Sequence, residues 1–289
     1  MTLKFRKLGI GLFLGVTTAW GATPPSVPSI EAVSTLKTPP KGESSFSLET
    51  ALKSISVNVF TNYHGAPVGD MGSSYTPGKA GVTKTSQGTF FDTTLSLGYK
   101  LSKDVSIGPD LAFFYTPVLG QGFDMQYTGI AVVDHHLIRT PQLNISGNMV
   151  FQVANSDYLK NAGVKYGVKT TPSVFYRFRG TSVALGAFTE AKAYFGETKG
   201  KSFKLYAAPT LQYDFSDHFG ASLTYEMEAH HHIGQPTLSF DNYQTDLQPG
   251  VRWRISKTVL FNPYLMLYTG DKISARNTAV GAILVASIL

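Results

Sequence analysis

The sequence predicts an all-β chain, an antiparallel up-and-down transmembrane β-barrel of about twelve strands. Three observations carry this expectation. Apolar and polar residues alternate in segment after segment, tight and longer connections take turns, and no apolar run is long enough for a helical span.

Phe91 to Leu101 shows the pattern. Phe91, Thr93, Leu95, Leu97, Tyr99 and Leu101 fall on one face, and Phe90, Asp92, Thr94, Ser96, Gly98 and Lys100 on the other. A pleated strand sends successive side chains to opposite sides, so this segment has an apolar face and a polar face. The pattern places strands near 54–64, 89–101, 104–115, 126–138, 142–153, 168–179, 182–195, 203–215, 219–230, 242–255, 258–269 and 278–289. Tight links fall at Ser102-Lys103, Arg139 to Pro141, Gly180-Thr181, Ser216 to His218 and Ser256-Lys257. Longer links are expected at 65–88, 116–125, 154–167, 196–202, 231–241 and 270–277. Short turns belong to the periplasmic side of such barrels and long loops to the outside, so both termini are expected to be periplasmic.

Residues 1–21 read as a signal peptide. Lys4, Arg6 and Lys7 precede the apolar Leu8 to Val16, and Ala19-Trp20-Gly21 offers small residues for cleavage before Ala22. Residues 22–52 form a Pro-rich periplasmic segment, with Pro24, Pro25, Pro28, Pro39 and Pro40 among Ser and Thr. Within it, Ser47 to Ser54 can make two helical turns, as a plug at the mouth or as a short tether. Residues 53–289 form the barrel.

Composition narrows the function classes. The 289 residues include no cysteine, which excludes a disulfide scaffold and a thiolate metal site. The net charge of +6 includes the three signal cations, and the remaining basic residues do not cluster, so no nucleic-acid partner is expected. Charged residues make up 15% and aromatics 12%. Few charges with many Tyr and Phe suit strands that face lipid on one side only.

The outward sets are clean, as in Phe203, Leu205, Ala207, Pro209, Leu211, Tyr213 and Phe215, or Val259, Phe261, Pro263, Leu265 and Leu267. A Lys or Arg there would cost about 2–4 kcal/mol at the bilayer midplane. Outward aromatics gather in two bands. Tyr99, Phe178, Phe215, Phe219, Trp253 and Phe261 lie near tight turns, and Phe91, Tyr115, Phe195, Phe203 and Tyr243 near long loops. Paired aromatic girdles mark a spanning barrel, which a soluble sandwich would not explain. Two features depart from the scheme. Thr128 to Ile138 alternates poorly, which predicts a bulge near Val133. Pro109, Pro172, Pro209, Pro249 and Pro263 all fall inside strands in the outward phase, where local bulges or bends are expected.

On these residues the chain resembles the outer-membrane β-barrel proteins of Gram-negative bacteria, with porin-like architecture. The resemblance covers Ser54 to Leu289 and rests on architecture, not on a family motif. The final strand departs from it, because it ends on Leu289 where such proteins often end on an aromatic residue. The resemblance implies the outer membrane as location and its lipid as surroundings.

The inward face carries both signs. Its candidate lumen-lining residues are Asp92, Lys100, Asp110, Arg177, Arg179, Glu190, Lys192, Asp214, Glu226, Glu228, Asp246, Arg252 and Arg254, with Lys204 beside them. Ionisable groups at membrane depth need water or one another. They fit either a hydrated path or a ladder of ion pairs bracing a filled barrel. Measured from the turns, Lys100, Arg177, Arg179, Arg252 and Arg254 lie low, and the four arginines are expected to form a basic girdle only partly offset by Asp214. Asp92, Asp110, Glu190, Glu226, Glu228 and Asp246 lie from mid-height upward. About eight strands leave a filled interior and sixteen to eighteen an aqueous channel. Phe60, Phe114, Phe175, Phe188, Tyr194, Tyr206, Tyr264, Met266 and Tyr268 also point inward, so a narrow or partly blocked lumen is expected.

No catalytic residues are assigned. His230 to His232 sit at an outer loop, either as a solvated run or as two rings offered to a metal, whereas His135 and His136 lie lower on the fourth strand. Gly-x-Ser-x-Gly, His-Glu-x-x-His and a phosphate-binding Gly loop are absent. The expectation is therefore a narrow channel for small hydrophilic solutes or ions, without cofactor or metal. A binding or adhesion barrel, or a structural barrel with a blocked lumen, is the alternative. A uniformly apolar outer face leaves monomer as the default.

Overall fold

The computed structural model describes residues 54–71, 75–76, 87–117, 122–197, 200–236, 239–269 and 273–288. The signal peptide, nearly all of the Pro-rich segment and the helical turns expected from Ser47 lie outside the described residues.

Twelve antiparallel strands close into one barrel. In chain order they are β1 (Ile55–Pro67), β2 (Phe90–Lys100), β3 (Val105–Thr116), β4 (Gly122–Arg139), β5 (Leu143–Ala154) and β6 (Val164–Arg177). Then follow β7 (Val183–Gly196), β8 (Lys201–Asp214), β9 (Phe219–His232), β10 (Asp241–Arg254), β11 (Val259–Tyr268) and β12 (Thr278–Ser287). Each strand pairs with its sequence neighbours. The seam is made by β12 against β1, with Asn58 opposite Ser287 and Tyr63 opposite Ala282. Closure removes every sheet edge.

All twelve expected strands form, and the main differences lie at their loop ends. β4 begins at Gly122 and β6 at Val164, four residues earlier than the alternation suggested. As a result the links at 117–121 and 155–163 are shorter than expected, and the link at 197–200 shrinks to four residues because β7 runs to Gly196 and β8 starts at Lys201. The pairing continues upward because aromatic neighbours support it: Phe113 packs on Phe123 at 4.8 Å, and Phe151 on Tyr166 at 5.8 Å.

The five tight turns share one device. Hydroxyls of Ser102, Thr140, Thr181, Ser216 and Ser256 each accept a backbone N–H from two or three residues further on. Such Ser/Thr turns satisfy donors that the reversing chain would otherwise leave unpaired. In the β6–β7 turn Gly180 takes φ +70°, a conformation that a side chain would strain.

The bulge predicted near Val133 lies just beyond it. Val133 still pairs with Asn148, whereas Asp134 opposite Gly147 and Ile138 opposite Ile145 leave three residues facing one. His135 and His136 sit in this bulge. A second shift, between Ala112 and Phe113, adds one residue to β4.

Of the bulges or bends expected at the strand prolines, no bulge forms. Beside each, one ladder loses pairs and then resumes in the same register. Pairing stops between Thr170–Ala191 and Ser173–Phe188 near Pro172, and between Ala207–Met227 and Thr210–Thr224 near Pro209. It also stops between Ser96–Asp110 and Tyr99–Ile107 near Pro109. Near Pro249 and Pro263 it stops between Leu247–Leu267 and Gly250–Tyr264, and again before Trp253–Phe261. A missing N–H removes a rung without adding a residue, which explains a gap with no shift. All five prolines lie four or five residues from the turn end of their strands.

Among the loops, 155–163 carries a short helix, α1 (Asp157–Asn161). The Ser156 hydroxyl accepts from the Leu159 N–H at 3.2 Å, Asp157 lies in the first turn and Lys160 in the last. That is the charge order a helix dipole favours. Gly163, at φ +75°, turns the chain into β6. Leu159 is buried with Tyr127, Ala154 and Val164, and Ala112, Ala162 and Tyr194 pack around them. A loop helix thus covers part of the barrel mouth.

Candidate functional site: the inner wall

The inner wall follows from the two-residue period. On β7 to β11 the even-numbered residues are mostly buried, while outward Leu185, Leu211, Val251 and Leu265 are 40–51% exposed. The outer face also carries exposed Tyr99, Phe215, Phe219 and Trp253 toward the turns, with Tyr115 and Phe195 toward the loops. Phe219 stacks on Trp253 at 5.9 Å and Phe91 on Tyr115 at 6.2 Å.

The inner face is filled. Met266 and Asp246 are 0% exposed, and Glu190, Lys192, Arg252 and Tyr264 are 5–6% exposed. Buried ions need partners, and here they meet in three tiers.

At the turn end, the Asp214 carboxylate takes Arg177 at 2.9 Å and Arg252 at 2.7 Å. Arg254 donates to the Asp217 carbonyl at 2.6 Å. The expected girdle is therefore one carboxylate gripping two guanidiniums, with Arg254 beside it. Its fourth member is displaced. β6 ends at Arg177, so Arg179 falls in the exposed turn. Lys100, the last residue of β2, is exposed as well.

In the middle tier, Glu226 and Asp246 lie directly opposite each other on β9 and β10. Gln248 donates to Asp246 at 2.8 Å and to Glu226 in a second bond. The Tyr206 hydroxyl also bonds Glu226. One amide and one phenol thus serve two neighbouring acids.

The upper tier overturns the expected segregation of signs. Lys169 pairs with Lys192 across β6 and β7, and Lys192 with Lys204 across β7 and β8. Three lysines therefore form one row above the acidic tier, and Lys204 next faces His230. Lys204 bridges Glu190 and Glu228, each at 3.2 Å. The Lys192 ammonium lies 3.3 Å from the centre of the Tyr127 ring and 5.4 Å from that of Tyr194. Asp92 lies six strands from Lys204 around the wall and interacts electrostatically with Lys204, Lys169 and Lys192 across the lumen.

Lys169 was missed by the sequence reading, although inward Phe175 and Arg177 on its own strand fix its phase. His230 also departs from expectation. β9 runs on to His232, so His230 is a wall residue, 2% exposed, with Nε2 2.6 Å from Glu228. Asp110 is buried and accepts from the Ser96 hydroxyl at 2.7 Å, while its second oxygen has no partner among the described residues. Among the described residues no group of three or more His, Asp or Glu is arranged to hold a metal ion.

This is the porin-like architecture of outer-membrane barrels. No protein-family model matches the chain, and no curated protein sequence matches it. Solved structures do. An outer-membrane channel from Pseudomonas putida F1 aligns with a TM-score of 0.50 at 10% identity, covering 81% of this chain and 96% of that one. The NanC porin aligns at 0.44 and 7% identity, over 81% of this chain and all of its own (100%). OmpF of Salmonella typhi, in complex with daunomycin, aligns at 0.38 and 5% identity, over 81% and 97%. The first of these likenesses shows a shared barrel fold.

Proposed function

We propose that this protein is an outer-membrane barrel of a Gram-negative bacterium, and that its narrow lumen passes small hydrophilic solutes or ions. One observation carries the reading: a closed barrel with an apolar, aromatic-rimmed outer face surrounds an inner face of ionisable groups. Lipid is the solvent that suits such an exterior, and water or a polar solute suits such an interior. In this reading 1–21 is the cleaved signal, 22–52 lies on the periplasmic side, and the barrel works as a monomer without catalysis.

The lining residues in this reading are those of the three tiers, with Asp92 and Asp110. Their close packing makes the path selective, not general, because a solute must displace ion-paired side chains. The same packing supports a second reading, in which the lumen stays shut and the outer loops bind a partner. Single-channel recording of the purified barrel in planar bilayers separates the two. Discrete, stable conductance steps support transport. A heat-modifiable, folded barrel that stays silent at all voltages refutes it and leaves the loop-binding reading.

A further inference from the structure

We propose that the row Lys169, Lys192 and Lys204 is a binding station for small oxyanions, the chemistry shared by carboxylates and phosphates. The inference rests on reading the inner face as a solute path, and it names the solute class for that path.

The row is an unusual arrangement for a buried wall. Adjacent strands lie about 4.8 Å apart, and like charges directly opposite one another destabilise a sheet. Three successive strands nevertheless present lysine at the same level. Only one of the three is answered at contact range: Glu190 and Glu228 both go to Lys204. Among the described residues, no carboxylate lies within 4.0 Å of the Lys169 or Lys192 ammonium. Yet these side chains are only 5% and 6% exposed.

Their remaining compensation is weaker and more distant. Lys192 has the Tyr127 ring, Glu190, two residues before it, acts on both lysines from beyond contact range, and Asp92 acts from the far wall. A ring face attracts an ammonium but supplies no acceptor lone pair. Two neighbouring cations therefore keep unused donors at one level of the lumen. A small oxyanion offers several acceptor atoms and a negative charge, and one such group can serve both ammoniums. Glu190 and Glu228 bound the row on its lower side and hold Lys204, which favours small anions over bulky polyanions. Leu159 of α1 sits above, on Tyr127 and Tyr194, so the station lies beneath the loop helix.

The test uses the purified full-length barrel in detergent, with sodium acetate and sodium phosphate as probes and sodium chloride at matched ionic strength as reference. The readout is the apparent thermal unfolding midpoint at a fixed scan rate, since a ligand bound only by the folded state raises it. Acetate, phosphate or both should raise the wild-type midpoint above that in chloride, and the probe that does so identifies the oxyanion source. Lys169→Gln and Lys192→Gln, made separately, should each lose the rise. Lys165→Gln, which alters an exposed lysine paired with Glu197 at 2.8 Å, should keep it. No rise in the wild type overturns the proposal, and so does an equal rise in all variants. Bilayer recording on the same samples distinguishes the two claims. A conducting barrel without the anion effect refutes the station alone, and a silent barrel that keeps the effect refutes transport alone.

Discussion

The Tyr264 hydroxyl donates to Asn62 Oδ1 at 2.7 Å, joining two residues 202 positions apart. Tyr264 lies on β11 and Asn62 on β1, so the ring must cross β12 to reach its partner. It does so over Gly281, which lies directly opposite Tyr264. A Cβ on Gly281 would come within 2.7 Å of the Tyr264 hydroxyl oxygen. The barrel seam is thus strapped from inside, and only glycine leaves room for the strap.

Gly281→Ala should therefore displace the ring and break the Asn62 bond, costing about 1–3 kcal/mol. Tyr264→Phe, which loses only the hydroxyl, should cost less, about 0.5–1.5 kcal/mol. Denaturant unfolding of the refolded barrel measures both. Equal costs would show that the ring does not press on Gly281.

Charge substitutions should depend on the face. Leu265 is 40% exposed and Leu97 37%, both on the outer side. Leu265→Arg or Leu97→Arg should lower membrane folding by about 2–4 kcal/mol. Ser96→Arg points inward beside Asp110, whose second oxygen is open to a cation, and should fold normally. Folding yield in lipid vesicles, read by heat-modifiable migration, compares the two faces.

At the turn end, Asp214→Asn should leave Arg177 and Arg252 without their shared anion. The loss should be about 1–3 kcal/mol, moderated because the Arg177 side chain is 37% exposed. In a salt gradient the reversal potential should move toward anion preference. Replacing Arg252 and Arg254 by Gln should move it toward cations. A variant that folds and conducts with an unchanged potential would place these groups off the conducting path.

Leu159→Ser should loosen α1 from Tyr127 and Tyr194 and raise single-channel conductance. The exposed neighbour Tyr158, changed to Ser, should leave conductance as it was. Conductance histograms of the two variants decide whether the helix restricts the mouth.

The strands were legible because each has one face committed to burial. In Phe91 to Leu101 a one-residue slip would invert every side chain, so the phase is strongly specified. The turns were legible from Ser102, Thr140, Thr181, Ser216 and Ser256. The candidate site was legible as a set of inward residues but not as an arrangement. Height counted along single strands cannot show that Lys169, Lys192 and Lys204 share a level, since that is a property of register between strands. Nor can it show that Asp214 holds both Arg177 and Arg252. Three consecutive histidines read as polar, which puts His230 in a loop. The Glu228 carboxylate beside it lets the strand continue.

The common distance of Pro109, Pro172, Pro209, Pro249 and Pro263 from the turn ends has a mechanical consequence. A closed wall resists stretching around its circumference through the bonds that join one strand to the next, much as a cask depends on its hoops. Where rungs are missing in the same register, the staves remain aligned but the hoop is thin. The cask is therefore stiff at both rims and compliant at one waist, between the arginine tier and the acidic pair. A force that widened the bore would therefore meet least resistance at that waist, and no strand would have to slide past its neighbour.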